Sequence, residues 1–138
     1  METKSGSTLL LVVGLLFLAS GVVNLTASAT GLIAASHWDI NAPVAISWGI
    51  YYAIALMGSL FYMLVGFIGI AYRKRLKRAP ILKAIGIMCI CYEIFDIGLI
   101  FFVFSDIFNR FTIVFAFVGV ALAGLYVVGA QKNLNAYG

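Results

Sequence analysis

Two carboxylates, Glu93 and Asp96, stand three residues apart in the stretch ICYEIFDIG (Ile90 to Gly98), inside a long apolar run. On a helix that spacing puts both on one face, a turn apart. Neighbouring acids resist double ionisation, so such a pair suits sharing a proton or holding a small cation. At the centre of a membrane span a charged acid costs about 3 kcal/mol on insertion scales, and intramembrane acids mark proton and ion pathways. The expected compensation would be a Lys or Arg inside the membrane, but none of the apolar segments carries one between its ends.

The pair must therefore be protonated, cation-bound, wetted or hydrogen-bonded by polar neighbours. Donors expected at similar depth are Asn24, Ser59, Tyr62 and Tyr92. With Glu93 and Asp96 they form the candidate proton- or cation-binding set. One alternative makes the acids neutral, hydrogen-bonded across helices as interior contacts. Another docks them onto a basic residue of a partner's span.

Positioning these groups takes helices that cross a bilayer. The chain has 138 residues, 64% hydrophobic and 10% charged, with a mean hydropathy of +1.10. A soluble domain is about half apolar and a quarter charged, and a chain this short could not hide so much apolar surface in one core. Apolar segments cover approximately residues 8–35, 44–72, 80–104 and 111–131, each long enough for a hydrocarbon core that needs about 20 residues. The runs are continuous, where barrel strands would alternate, and lipid requires backbone groups to be satisfied within each segment. The expected class is an all-α integral membrane protein: one domain over residues 1–138, a four-transmembrane-helix antiparallel bundle joined by short loops.

Glu93 lies ten residues from Lys83 and Asp96 thirteen, or roughly 15 and 20 Å along a helix axis. Both fall near the midplane. Lys4, Lys132 and six residues between Arg73 and Lys83 oppose Arg110 alone, which predicts cytoplasmic termini and a cytoplasmic 73–83 loop in a plasma membrane of bacterial type. The first two spans exceed the bilayer's need and must tilt, kink or project. Projection would present SHWDINAP as an outer cap, with Trp38 and Trp48 near the interface and Pro43 starting a helix. Lys4, the following apolar run and Ala27-Ser28-Ala29 resemble a cleavable signal peptide; the stretch is read here as a first span.

Small residues recur at helical spacing: Gly14, Gly21 and Ser28 in the first span, Gly58, Gly66 and Gly69 in the second, and Ala116, Gly119, Ala123 and Ala130 in the fourth, with Tyr126 interrupting the last stripe. Such stripes allow close backbone approach, which drives helix association in lipid. They are expected to make contacts inside the bundle or, alternatively, against another protomer. A large aliphatic at Gly119 or Gly66 should disrupt assembly.

The basic cluster Arg73, Lys74, Arg75, Lys77, Arg78 and Lys83 fixes topology and offers a surface for anionic lipid headgroups; without an aromatic-interleaved basic fold it does not suggest nucleic acid. Cys89 and Cys91 point about 200° apart on a helix and cannot readily close a disulfide. A lone His37 falls short of a metal site's ligand count, and Asp106 and Arg110 are spaced for an exposed ion pair of little weight. No nucleotide, phosphate-loop or nucleophile motif occurs. No cofactor, metal or enzymatic activity is expected. The leading expectation is a small tetraspan protein, without catalysis of its own, acting by helix association as a homo-oligomer or an accessory subunit of a membrane complex. The alternative is a proton- or monovalent-cation-coupled transporter or channel using Glu93 and Asp96.

Overall fold

A computed structural model describes residues 2–37, 43–102 and 110–137, in which the chain is helical almost throughout. The elements are α1 (Glu2–Ser36), α2 (Pro43–Tyr72), a 3-10 turn (Leu76–Arg78), α3 (Ala79–Phe102) and α4 (Arg110–Tyr137). All four long helices are apolar enough to cross a membrane over the stretches Gly6–Ala34, Trp48–Tyr72, Leu76–Phe102 and Ile113–Tyr137. Both prolines sit where a helix tolerates them, Pro43 at the first position of α2 and Pro80 at the second of α3, so no missing N–H breaks a ladder. The end of α1 tightens as the His37 N–H donates to the Ala34 carbonyl at 3.1 Å. Hydroxyls inside the spans satisfy themselves locally: Thr26 donates to the Val22 carbonyl at 3.0 Å and Thr30 to the Thr26 carbonyl at 2.8 Å.

The helix α1 packs against both α2 and α4, and α3 packs against α4, while α2 and α3 touch far less than these three pairs. Along the α1–α2 seam a Cβ at Gly14 would lie 2.9 Å from the Gly66 carbonyl oxygen, and one at Gly21 would lie 3.0 Å from that of Ser59. Gly31 meets the ring of Tyr52. Residue numbers therefore rise along α1 as they fall along α2. The same reversal links α1 to α4, through Gly6 with Asn133 and Phe17 with Tyr126. Helix α1 continues unbroken through Ala27-Ser28-Ala29, and Ser28 is buried.

Among the described residues, the core cluster lies in one half of the bundle's length. Leu10, Val13, Phe17, Val65, Leu82, Cys89, Ala123, Tyr126 and Ala130 form it, all toward the end that carries the 3-10 turn and the end of α4. Tyr126 is the largest fully buried side chain among the described residues, and it belongs to the stripe it is expected to interrupt. Its ring sits where Gly69 and Gly86 leave room: a Cβ would come within 2.6 Å of it at Gly69 and 3.1 Å at Gly86. Its hydroxyl donates to the Val65 carbonyl at 3.2 Å.

Two helices run beyond the apolar segments: α1 begins at Glu2, ahead of the segment that starts near 8, and α4 continues to Tyr137, past the segment's end near 131. Hydropathy falls in KNLNAY, but packing continues. Asn133 is fully buried, and its Nδ2 donates to the Arg73 carbonyl at 2.7 Å. That bond satisfies one of the carbonyls exposed where α2 ends.

Around the girth, Met57, Phe67, Phe95, Phe102 and Phe117 are each more than 60% exposed. A surface this apolar suits lipid and would associate in water. The expectations for Trp38, the 38–42 loop and the Asp106–Arg110 pair fall outside the described residues and side chains.

Candidate functional site

Where the core stops, a cavity of about 360 Å³ begins. Its floor is aromatic: Phe17 packs on Tyr62 with ring centroids 5.4 Å apart, and meets Tyr126 edge-on at 5.8 Å. Rings bridge α2 and α3 at this level. Tyr92 stands 5.7 Å from both Phe61 and Tyr62. The cavity extends from this floor toward the end of the bundle that carries Trp48 and Ile100.

All six candidate proton- or cation-binding residues line this one cavity. Glu93 is 5% exposed. Glycine at 119 makes space for its carboxyl: a Cβ there would meet Oε1 and lie 2.6 Å from Cδ and 2.9 Å from Oε2. No described side chain donates a hydrogen bond or ion pair to Glu93. Its carboxyl oxygens are not among the described side-chain atoms fully buried without a partner, so the carboxyl opens onto the cavity, where water can offset the cost of its charge. Asp96, one turn on, is half-buried on the same wall.

The four expected donors behave differently from one another. Ser59 is buried, and its hydroxyl donates to the Ala55 carbonyl at 2.8 Å, so it offers the acids only lone pairs. The Tyr62 hydroxyl is buried and has no hydrogen-bond partner among the described residues. The ring of Tyr92 reaches across to α2, where its hydroxyl fills the space a Cβ at Gly58 would take. Asn24 is exposed at the cavity's α1 side. No hydrogen bond joins these four side chains to the acids among the described groups, and all six residues border the same space.

Three rings on α2 were not singled out as part of a site. Trp48 stacks on Tyr52 at 5.5 Å and 30°, and Tyr51 meets both at 6.2 and 5.7 Å. All three line the cavity. The signal was present in the spacing: Trp48, Tyr52, Ala55, Ser59 and Tyr62 recur at four, three, four and three residues, one continuous helix face. Residue type places Trp48 near the membrane interface without showing that its ring also borders the cavity.

The glycine and alanine stripes meet helices of the same chain. Gly14, Gly21 and Gly66 lie in the α1–α2 seam, Gly58 and Gly69 face Tyr92 and Tyr126, and Gly119 faces Glu93. Ser28 and Ala116 border the cavity, whereas Ala123 and Ala130 sit in the core.

At the opposite end of the bundle, the basic cluster gathers around the 3-10 turn. The guanidinium carbons of Arg75 and Arg78 lie 5.5 and 5.6 Å from the Tyr72 ring centroid, within cation–π range. Lys74, Lys77, Arg75 and Arg78 are exposed, while Arg73 and Lys83 are half-buried. Among the described residues no three His, Cys, Asp or Glu side chains come together as a metal site would require.

Among the described residues the two ends thus differ in kind: one is packed and basic, and the other holds an aromatic cavity with two acids on its wall. Comparison with protein-family models, curated proteins and solved structures finds no match to this chain.

Proposed function

We propose that the chain is a small tetraspan membrane protein that binds a proton or monovalent cation at Glu93 and Asp96 and moves it across the membrane. One observation carries this reading. Glu93 is buried without a donor among the described residues, and it borders a cavity large enough for several waters, each of which occupies about 30 Å³ in the liquid. A carboxylate kept only for helix contact would be expected to have a hydrogen-bond partner.

The contact reversals along α1 support an antiparallel bundle, and the basic cluster supports placing the 73–83 turn and both termini on the cytoplasmic side. The cavity then faces outward in a plasma membrane of bacterial type, and the aromatic floor with the core beneath it forms the barrier to the cytoplasm. Movement of a cation requires a second arrangement in which that barrier opens. The seam between α2 and α3, packed more loosely than those of α1 with α2, α1 with α4 and α3 with α4, is the natural place for it. The basic cluster holds anionic headgroups and anchors the inner end. No covalent chemistry is assigned.

A reading based on helix association alone has less to work with, because the small-residue stripes it relies on are occupied by contacts within one chain. Oligomers formed through other faces are compatible with transport.

The test is flux in liposomes under an imposed pH or cation gradient. Wild type is expected to dissipate the gradient, with at least tenfold slower flux in Glu93→Gln and a clear loss in Asp96→Asn. Equal, negligible flux in all three proteins would overturn the proposal.

A further inference from the structure

The cavity is furnished for more than an inorganic ion. Its volume of about 360 Å³ falls in the range of small-molecule sites, roughly 300–1,000 Å³. A bare monovalent ion needs oxygen ligands and no rings. Here the two carboxylates occupy one wall while the opposite helix presents the stacked Trp48 and Tyr52. Tyr62 adds a buried hydroxyl that has no partner among the described residues. No Lys, Arg or His occurs among the described residues lining the space, so nothing there competes for the acids.

We propose that the cavity binds a small organic cation, an ammonium group bearing apolar substituents. Its charge lies against Glu93 and Asp96, and its substituents lie on the faces of Trp48 and Tyr52. Aromatic faces attract such cations through their quadrupole, most strongly where water is excluded. The carboxylates supply the charge that a neutral apolar guest could not use. The inference rests on the reading of this cavity as a cation site, and it adds the class of cation.

Equilibrium dialysis of the detergent-solubilised full chain against labelled benzyltrimethylammonium tests it. Saturable binding is expected, at least tenfold weaker in Glu93→Gln and in Trp48→Leu, and not displaced by neopentylbenzene, the neutral counterpart of the same shape. The absence of saturable binding to wild type, wild-type affinity in both variants, or equal displacement by neopentylbenzene would each overturn the proposal. Displacement can be read on wild type alone, so the test survives a variant that fails to fold. Glu93-dependent proton flux with no benzyltrimethylammonium binding would overturn this inference and leave the cation-site reading standing. Binding that meets these criteria, with no flux, would sustain the inference and overturn the transport reading.

Discussion

Glu93 and Gly119 form a unit in which the glycine supplies the space and the acid the chemistry. A Cβ at 119 would press on the far end of a flexible side chain, which can move. Gly119→Ala is therefore expected to displace the carboxyl and weaken cation binding several-fold, with little change in the thermal midpoint in detergent; an unchanged affinity would contradict the seating of Glu93. Tyr126 illustrates the opposite case, since its ring is fully buried and its hydroxyl bonded. Tyr126→Phe should cost about 0.6 kcal/mol, the typical worth of one interhelical hydrogen bond in a membrane protein. Tyr126→Ala should cost about 3–5 kcal/mol by opening a cavity, read as a lowered thermal midpoint. The acids were legible in the sequence because charge within an apolar run has few explanations. Tyr126 was not, because a large ring in a small-residue stripe looks like an interruption until the facing glycines are known.

Between helices, backbone approach decides which substitutions the bundle tolerates. A Cβ at Gly66 would lie 2.6 Å from the Gly14 carbonyl oxygen and 2.9 Å from the Leu18 nitrogen, so the atoms in the way are backbone. Overpacking of this kind costs about 1–3 kcal/mol or more, and Gly66→Leu should lower the thermal midpoint sharply. Gly124, where a Cβ would meet nothing within 4 Å, is the internal control: Gly124→Leu should leave the midpoint within error. The earlier expectation treated Gly66 and Gly119 alike, since spacing identifies a small-residue face without saying whether backbone or a movable side chain lies across from it. Asn133→Ala removes the donor to the Arg73 carbonyl and should cost about 1 kcal/mol, the usual net worth of such a bond. The four spans could be read from hydropathy, but the helix ends could not. Asn133 is polar and still faces inward, and no hydropathy average registers that.

At the scale of the molecule, the division of the described residues into a packed half and a half that holds the cavity links the fold to the proposed function. In lipid, apolar side chains gain little from burial against one another, so a core built by close fit at one end leaves the other end free to hold water and a guest. The central claim is that water reaches the acids from the end carrying Trp48. It is tested most directly by single cysteines placed in a Cys89→Ala/Cys91→Ala background, in sealed vesicles of known orientation. A charged, membrane-impermeant methanethiosulfonate is then applied from each side. Ser28→Cys and Ser59→Cys, like the exposed control His37→Cys, are expected to react from the outer side alone, and Val13→Cys and Val65→Cys from neither. Reaction at His37→Cys with none at Ser28→Cys or Ser59→Cys from either side would contradict the account.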